Sequence, residues 1–243
     1  MGGRGTAAVI RALVDPGTLA PNTVISLSDG EAHHLRVRRV RPGARLQVTD
    51  GEGHEGEGVL EDGGRIHVAS VHTATRSSPL VLVVGAGDRD RFAWVVEKAT
   101  EFGVTDVVPI TTERTTSVGD RVEGRHVEKL QRRAFEALKQ CGGAWAPVVH
   151  LPCTLPELVA RHATGARWLA DAEGTAPPAH EARGPLAAIV GPEGGLTSAE
   201  RETLLAARWT PVRLARQTLR FETAAVAVMA IAALAREAGD DNE

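Results

Sequence analysis

Three groups of residues in this chain of 243 could carry chemistry. The first is Gly191-Pro192-Glu193-Gly194-Gly195, which follows the apolar run 187–190 and precedes Thr197-Ser-Ala-Glu200. Glycines there let the backbone approach a ligand and adopt positive φ. Free N–H groups at the start of a following helix can hold polar ligand atoms. The second group is 214–224, Leu-Ala-Arg-Gln-Thr-Leu-Arg-Phe-Glu-Thr-Ala, which gathers Arg216, Arg220, Glu222 and Thr223 at a passage from strand to helix. Each of these can cap, pair or face a ligand. Taken singly, the two segments fit equally a tight strand-to-helix turn and a helix-start ion pair. The third group is Arg36, Arg38, Arg39, Arg41 and Arg45, a run with no acidic residue between 33 and 45. It can contact phosphates or be a solvated face.

A fourth pattern, Val83-Val-Gly85-Ala-Gly87, resembles the opening of a dinucleotide-binding turn and would point to an oxidoreductase. Asp90 stands where the third glycine belongs, so the fingerprint is broken.

The elements that must position these groups fall into two textures. From 9 to about 75 the chain alternates in short segments, such as Arg45-Leu-Gln-Val-Thr49 and Arg65-Ile-His-Val68, broken by Asp50-Gly51 and Asp62-Gly63-Gly64. These are turn signals between strands and predict a small β-rich, barrel-like domain over 1–76. Past the polar stretch 75–79, apolar runs at 80–84, 107–110, 168–170, 187–190 and 212–214 alternate with helical patterns. An α/β domain over 77–243 follows. Phe92, Val95, Ala99 and Phe102 share one helical face, and Val127, Leu130, Ala134, Leu138 and Cys141 another. Thr197 and Glu200 have the spacing of a capping box.

Composition narrows the function classes. The formal net charge is −3, so nucleic acid must be met by local basic patches rather than a global field. Two cysteines, Cys141 and Cys153, are too few for a disulfide framework or a cysteine-built zinc site, and the nine histidines add no metal pattern. No basic segment followed by an apolar run opens the chain, so no secretory leader is expected. The apolar stretch 224–235 is short of the roughly 20 residues that cross a bilayer. No tyrosine and only four phenylalanines argue against a single-strand stacking platform.

The motifs taken together resemble a known family, the small-subunit ribosomal RNA methyltransferases that modify N3 of a uridine, within the knotted SPOUT class. The family's Gly-Pro-Glu-Gly-Gly loop stands unchanged at Gly191 to Gly195, and its C-terminal motif matches Leu214, Leu219, Arg220, Glu222, Thr223 and Ala224. Lys98-Ala-Thr-Glu-Phe-Gly-Val104, Glu113-Arg114, Gln140-Cys-Gly142, Arg11 and His34-Leu-Arg-Val-Arg38 are similar to further family segments in the family's order. Three positions depart: Ala215 for a glycine, Gly143 for an arginine and Asp88 for a lysine.

The resemblance implies an α/β fold with a trefoil-knotted SPOUT methyltransferase domain after a PUA-like RNA-binding β-barrel. It implies S-adenosylmethionine as cofactor, small-subunit ribosomal RNA as partner, no metal, no membrane, a cytoplasmic setting and a homodimer. Expected cofactor contacts are Leu169, Ala170, Gly191, Glu193, Gly194, Gly195, Leu214, Ala215, Thr218 and Leu219. Arg220, then Arg114, would stabilise charge on the base, and Glu222 or Glu193 could accept its proton. Arg11, Arg36, Arg38, Arg39 and Arg91 would meet RNA. A non-catalytic RNA-binding assembly factor is the alternative.

Overall fold

The computed structural model describes residues 9–85, 88–115, 124–162 and 164–240. Gly87 of the broken dinucleotide pattern lies outside them. The chain forms two compact units, residues 1–76 with 138–146, and residues 77–137 with 147–243.

The first unit is a five-stranded sheet in the order β1-β3-β4-β5-β2, with a helix between β2 and β3 in the chain. Its elements are β1 (Arg11–Leu13), β2 (Thr23–Ser26), α1 (Asp29–Val37), β3 (Arg45–Thr49), β4 (His54–Glu61) and β5 (Arg65–Thr73). β1 runs parallel to β3, and the other ladders are antiparallel. The alternation seen in the sequence is the alternation of burial. Leu46 and Val48 of β3, Leu60 of β4, and Ile66 and Val68 of β5 point inward with Ala12, Ile25 and Leu35. Gly63 and Gly64 turn β4 into β5 at φ +76° and +74°, which side-chain-bearing residues rarely adopt. β1 and β2 form the two ends of the strand path, so this β-rich unit has two edges.

Residues 138–146 return to this unit far from it in sequence. Lys139 and Glu31 form an ion pair with side chains 4% and 9% exposed, and Glu31 also accepts from the Leu13 N–H at 3.2 Å. Gly53 N–H donates to Ala144 O at 2.9 Å, Ala146 N–H to Gly51 O at 2.9 Å, and the Trp145 indole to Ala74 O at 3.1 Å.

The second unit is an α/β layer structure. Its strands are β6 (Leu80–Gly85), β7 (Asp106–Thr111), β8 (Val148–Val149), β9 (Cys153–Thr154), β10 (Ala166–Thr175), β11 (Leu186–Val190) and β12 (Thr210–Val212). Their order is β12-β10-β11-β6-β7-β8, β9 also pairs with β7, and every ladder is parallel. The helices are α2 (Arg89–Glu101), α3 (Gly124–Cys141), α4 (Leu155–Arg161), α5 (Ser198–Ala206) and α6 (Phe221–Asp240). Parallel strands covered on both faces read as continuous apolar runs, as β6 and β11 do. Leu80, Leu82 and Val84 face a cluster with Phe92, Val95, Ala225 and Met229, while Val81 and Val83 face one with Leu158, Leu204 and Trp209.

Four details differ from the sequence expectations. Cys141 has helical phase with Leu138 yet is exposed, because the apolar stripe of α3 ends one turn earlier. Phe102 is the C-cap of α2 and only partly buried. The last strand covers Thr210–Val212, so Leu214 belongs to the loop beyond it. β10 runs on to Thr175, past the apolar run 168–170, with a register shift between Ala170 and Thr175 against β12, so 171–174 bulge out.

Candidate active site

The glycine loop leaves the carboxyl end of β11 and enters α5. Gly195 N–H donates to Pro192 O at 2.7 Å and closes a turn with Gly195 at φ +69°. Thr197 then caps α5, and the full capping box forms with Glu200. A Cβ at Gly191 would stand 3.3 Å from Leu196 Cγ, and one at Gly85 would overlap the Pro192 nitrogen. Gly85 is therefore held by the packing of β6 against this loop.

Beside the loop lies a cleft of about 730 Å³. Three segments at carboxyl ends of neighbouring parallel strands wall it: 169–172 after the core of β10, the glycine loop after β11, and 213–221 after β12. Ligands of open α/β sheets bind at such ends. Of the sequence candidates, Leu169, Ala170, Gly191, Glu193, Gly195, Leu214, Ala215, Thr218, Leu219 and Arg220 line it. Arg91, expected at RNA, also lines it.

Gly194, Arg114 and Glu222 stand one contact back. Arg114 donates to the Gly194 carbonyl, and Gly194 leaves room for it, since a Cβ there would lie 3.3 Å from Arg114 Cδ. Glu222, in the first turn of α6, has Oε1 3.6 Å from Arg91 Nη1, while its Oε2 is buried without a hydrogen-bond partner. Asp88, where the family pattern has lysine, is the N-cap of α2 and accepts from Asp90 and Arg91 N–H at 3.0 and 2.9 Å. The other RNA candidates belong to the first unit. Arg36, Arg38 and Arg39 are exposed in and just after α1, and Arg11 is half-buried in β1.

Asp171, Arg201, Arg213 and Gln217 also line the cleft and were not found from sequence. Arg201 Nε donates to Asp171 Oδ2 at 2.5 Å and Arg201 Nη2 lies 3.4 Å from Glu173 Oε2. The Asp171 hydrogen bond and charge hold the guanidinium still more firmly protonated. Asp171 Oδ1 accepts from Glu173 N–H at 2.8 Å, which shapes the bulge. Glu200 Oε1 accepts from Glu113 N–H at 2.8 Å. The first turn of α5 thus ties together the glycine loop, the 171–174 bulge and the 113–115 turn. No sequence signal marks Asp171 or Arg201, because their partners lie 30 residues apart on separate elements.

The cleft suits a nucleoside bearing a charged amino-acid tail. Its volume falls in the roughly 300–1,000 Å³ of small-molecule sites. Leu169, Val190, Leu196 and Leu219 offer apolar walls for a flat ring, the glycine loop offers backbone groups, and Asp171, Glu193 and Arg213 offer both signs of charge. Among the described residues no group of three or more His, Cys, Asp or Glu is gathered as a metal would need.

A family described as RNA methyltransferase domain matches residues 75–233. The chain belongs to that RNA methyltransferase family. An RNA methyltransferase PUA domain family matches residues 27–71 of the other unit. The Mycobacterium bovis ribosomal RNA small subunit methyltransferase E is 32% identical over 231 residues, covering 87% of each protein. The Synechocystis protein of the same name is 27% identical over 234 residues, 90% of this chain and 76% of that one. Among solved structures, ribosomal RNA small subunit methyltransferase E of Neisseria gonorrhoeae bound to S-adenosyl methionine superposes with a TM-score of 0.80 at 24% identity. It covers 91% of this chain and 95% of the other. The methyltransferase therefore has a SPOUT-like α/β fold with an N-terminal PUA-like sheet unit.

Proposed function

We propose that this methyltransferase transfers a methyl group from S-adenosylmethionine to N3 of a uridine in small-subunit ribosomal RNA. The observation that carries the proposal is the convergence of three separate strand-end segments, including nearly all the expected cofactor residues, on one cleft. Bound there, S-adenosylmethionine supplies a methyl group made electrophilic by its sulfonium. The relatives' names and the cofactor-bound neighbour support the same assignment.

The chain's own residues have three tasks in such a reaction. The first is alignment: attack at N3 along the line of the sulfur–methyl bond needs the base and cofactor held together, which a rigid, loop-walled cleft provides. The second is charge: N3 reacts after losing a weakly acidic imide proton, which leaves negative charge on the ring oxygens. Arg220, exposed at the cleft, would face that charge, and Arg91 lines the same cleft. Arg114 acts on the cofactor loop through Gly194 rather than on the base. The third is the proton. Glu193 lines the cleft and Glu222 holds a buried, unpartnered oxygen, so these two carboxylates are the candidate acceptors. With S-adenosylmethionine held by the three segments, its methyl group would pass to N3 with the bonding pair left on sulfur, and Glu193, Glu222 or water would take the imide proton.

The knotted topology, a homodimer and a cytoplasmic setting belong to the same proposal. Trp94 on α2 and Leu234 on α6 leave large apolar side chains 40% and 68% exposed, which a second subunit could cover. Methyl transfer from labelled S-adenosylmethionine to small-subunit RNA from cells lacking this gene, with mass-spectrometric mapping of the product base, tests the assignment. Cofactor binding without transfer would leave a non-catalytic RNA-binding factor, and a methyl group on ribose or on another base atom would refute the N3 assignment.

A further inference from the structure

The PUA-like unit contains a small polar cavity of about 210 Å³, lined by Val9, Arg11, His34, Arg38, Lys139 and Gln140. Three stretches remote in sequence build it: β1, α1 with the turn after it, and the returning segment 138–146. No lining residue is acidic. The Lys139 ammonium is neutralised by the buried Glu31 behind it. No carboxylate among the described residues pairs with Arg11 or Arg38, so two guanidinium charges and an imidazole face a cavity with no internal counter-charge.

Arg11 is held for this task. Its Nε donates to Gln47 Oε1 at 3.1 Å and its Nη1 to Gln140 O at 3.5 Å. The guanidinium lies directly against Gly142, where a Cβ would stand 2.5 Å from Arg11 Nη2. Gly142 has φ +77° as well, so the backbone favours glycine there, and a Cβ would push the Arg11 guanidinium aside. A planar, fixed guanidinium matches phosphate oxygens through paired hydrogen bonds. The cavity is smaller than the roughly 300 Å³ at which ligand pockets begin to hold drug-sized molecules, and its lining of two guanidinium groups with no carboxylate suits a small anion such as a phosphate group.

We propose that this cavity binds one backbone phosphate of the substrate RNA, gripped by Arg11 and Arg38 with His34. It rests on the proposed RNA methyltransferase function, and it replaces the five-arginine stripe of the sequence with a built site. Arg36 lies outside the cavity, its Nε donating to Ala32 O at 3.3 Å.

Two measurements on the full chain test it. The first follows the His34 ring signal by nuclear magnetic resonance during titration with inorganic phosphate, which should shift it in the wild type and not in Arg38→Gln. The second measures affinity for a small-subunit RNA fragment across salt concentrations. Losing one phosphate contact lowers the slope of log affinity against log salt by about one. Because both arginines serve one phosphate, Arg11→Gln, Arg38→Gln and the double variant should each lose about one and no more. Gly142→Ala, which changes no charge but displaces Arg11, should weaken RNA binding as well, and circular dichroism confirms that each variant is folded. An unchanged slope in Arg38→Gln and the double variant would overturn the proposal. A His34 shift with inorganic phosphate but no change in RNA slope would make the cavity a free-phosphate site and overturn the RNA assignment. Failure of the wild type to bind S-adenosylmethionine would sink the proposed function while leaving the phosphate titration to stand by itself.

Discussion

Arg201 and Asp171, 30 residues apart in the chain, meet at 2.5 Å across the rim of the cleft. The arginine is the fourth residue after the Thr197 cap of α5, and the aspartate comes from the bulge in β10. The pair fixes one wall of the cleft relative to the glycine loop. We propose that it is a positioning pair, because each side chain is engaged by the other.

Arg201→Met should therefore loosen the 171–174 wall and weaken S-adenosylmethionine binding. A charge-assisted hydrogen bond is among the stronger ones, but solvent screens it at a partly exposed site such as this. The expected loss is about 3- to 10-fold in cofactor affinity by calorimetry, with single-turnover methyl transfer at saturating cofactor close to wild type. Asp171→Asn should match it, and the double variant should be no worse than either single one. A large fall in the single-turnover rate with unchanged affinity would contradict a positioning role.

Arg220 and Glu222 separate by a different criterion. Removing a donor aimed at developing negative charge typically costs about 100- to 1,000-fold in rate. Arg220→Ala should show a loss of that order in single-turnover transfer, with cofactor affinity within about threefold. Glu222→Gln decides whether Glu222 moves the proton or only anchors Arg91. An anchor raises the KM for RNA and leaves the pH–rate profile intact, whereas loss of a proton acceptor lowers kcat and removes the alkaline-rising limb of that profile.

Gly85→Ala tests the packing of β6 against the glycine loop. The added methyl would overlap the Pro192 backbone, which cannot yield as a flexible side chain would. Overpacking of this kind costs about 1–3 kcal/mol, or roughly 2–12 °C in Tm for a protein of this size. Scanning calorimetry should show that drop together with weaker cofactor binding. Gly194→Ala meets only the Arg114 side chain at 3.3 Å and should be milder in both.

Acid should destabilise the methyltransferase in a defined window. Burial pushes the His162 imidazole below its usual value of 6.5, and burial with the nearby Arg89 and Lys129 charges does the same for His126, whose buried Nε2 has no partner. Below about pH 6.5 the unfolded chain takes up protons that the folded chain refuses, so their contribution is complete above 6.5 and falls as pH drops below it. Glu97 and Glu157, both lowered from 4.5, lose their contributions only at and below that more acidic value. The urea midpoint should fall between pH 7.5 and 5.5, and His126→Gln with His162→Gln should flatten that slope. An equal slope in the double variant would assign the effect to other groups.

Much of this was legible in the residues. Alternation in β3 and β5, the continuous apolar runs of β6 and β11 and the Thr197 capping box are local consequences of side-chain period and capping chemistry, which a single segment encodes. The glycine loop and the 214–224 segment were found because each concentrates its functional residues in one turn. Cys141 and the end of β12 were misplaced because periodicity does not state where an apolar stripe or a ladder stops.

The sequence by itself thus determined the elements, the two textures and the glycine loop with its Arg-x-Glu-Thr companion. Only the tertiary structure decided which charged groups meet. It brought Arg201 to Asp171, Arg114 to Gly194, Arg91 to Glu222, and Lys139 to Glu31 beside Arg11 and Arg38. The physical reason is that a single charged side chain, buried or exposed, leaves no periodic trace in sequence. Its partner is set by the order of parallel strands and by where a distant segment returns, and both follow from packing the whole chain.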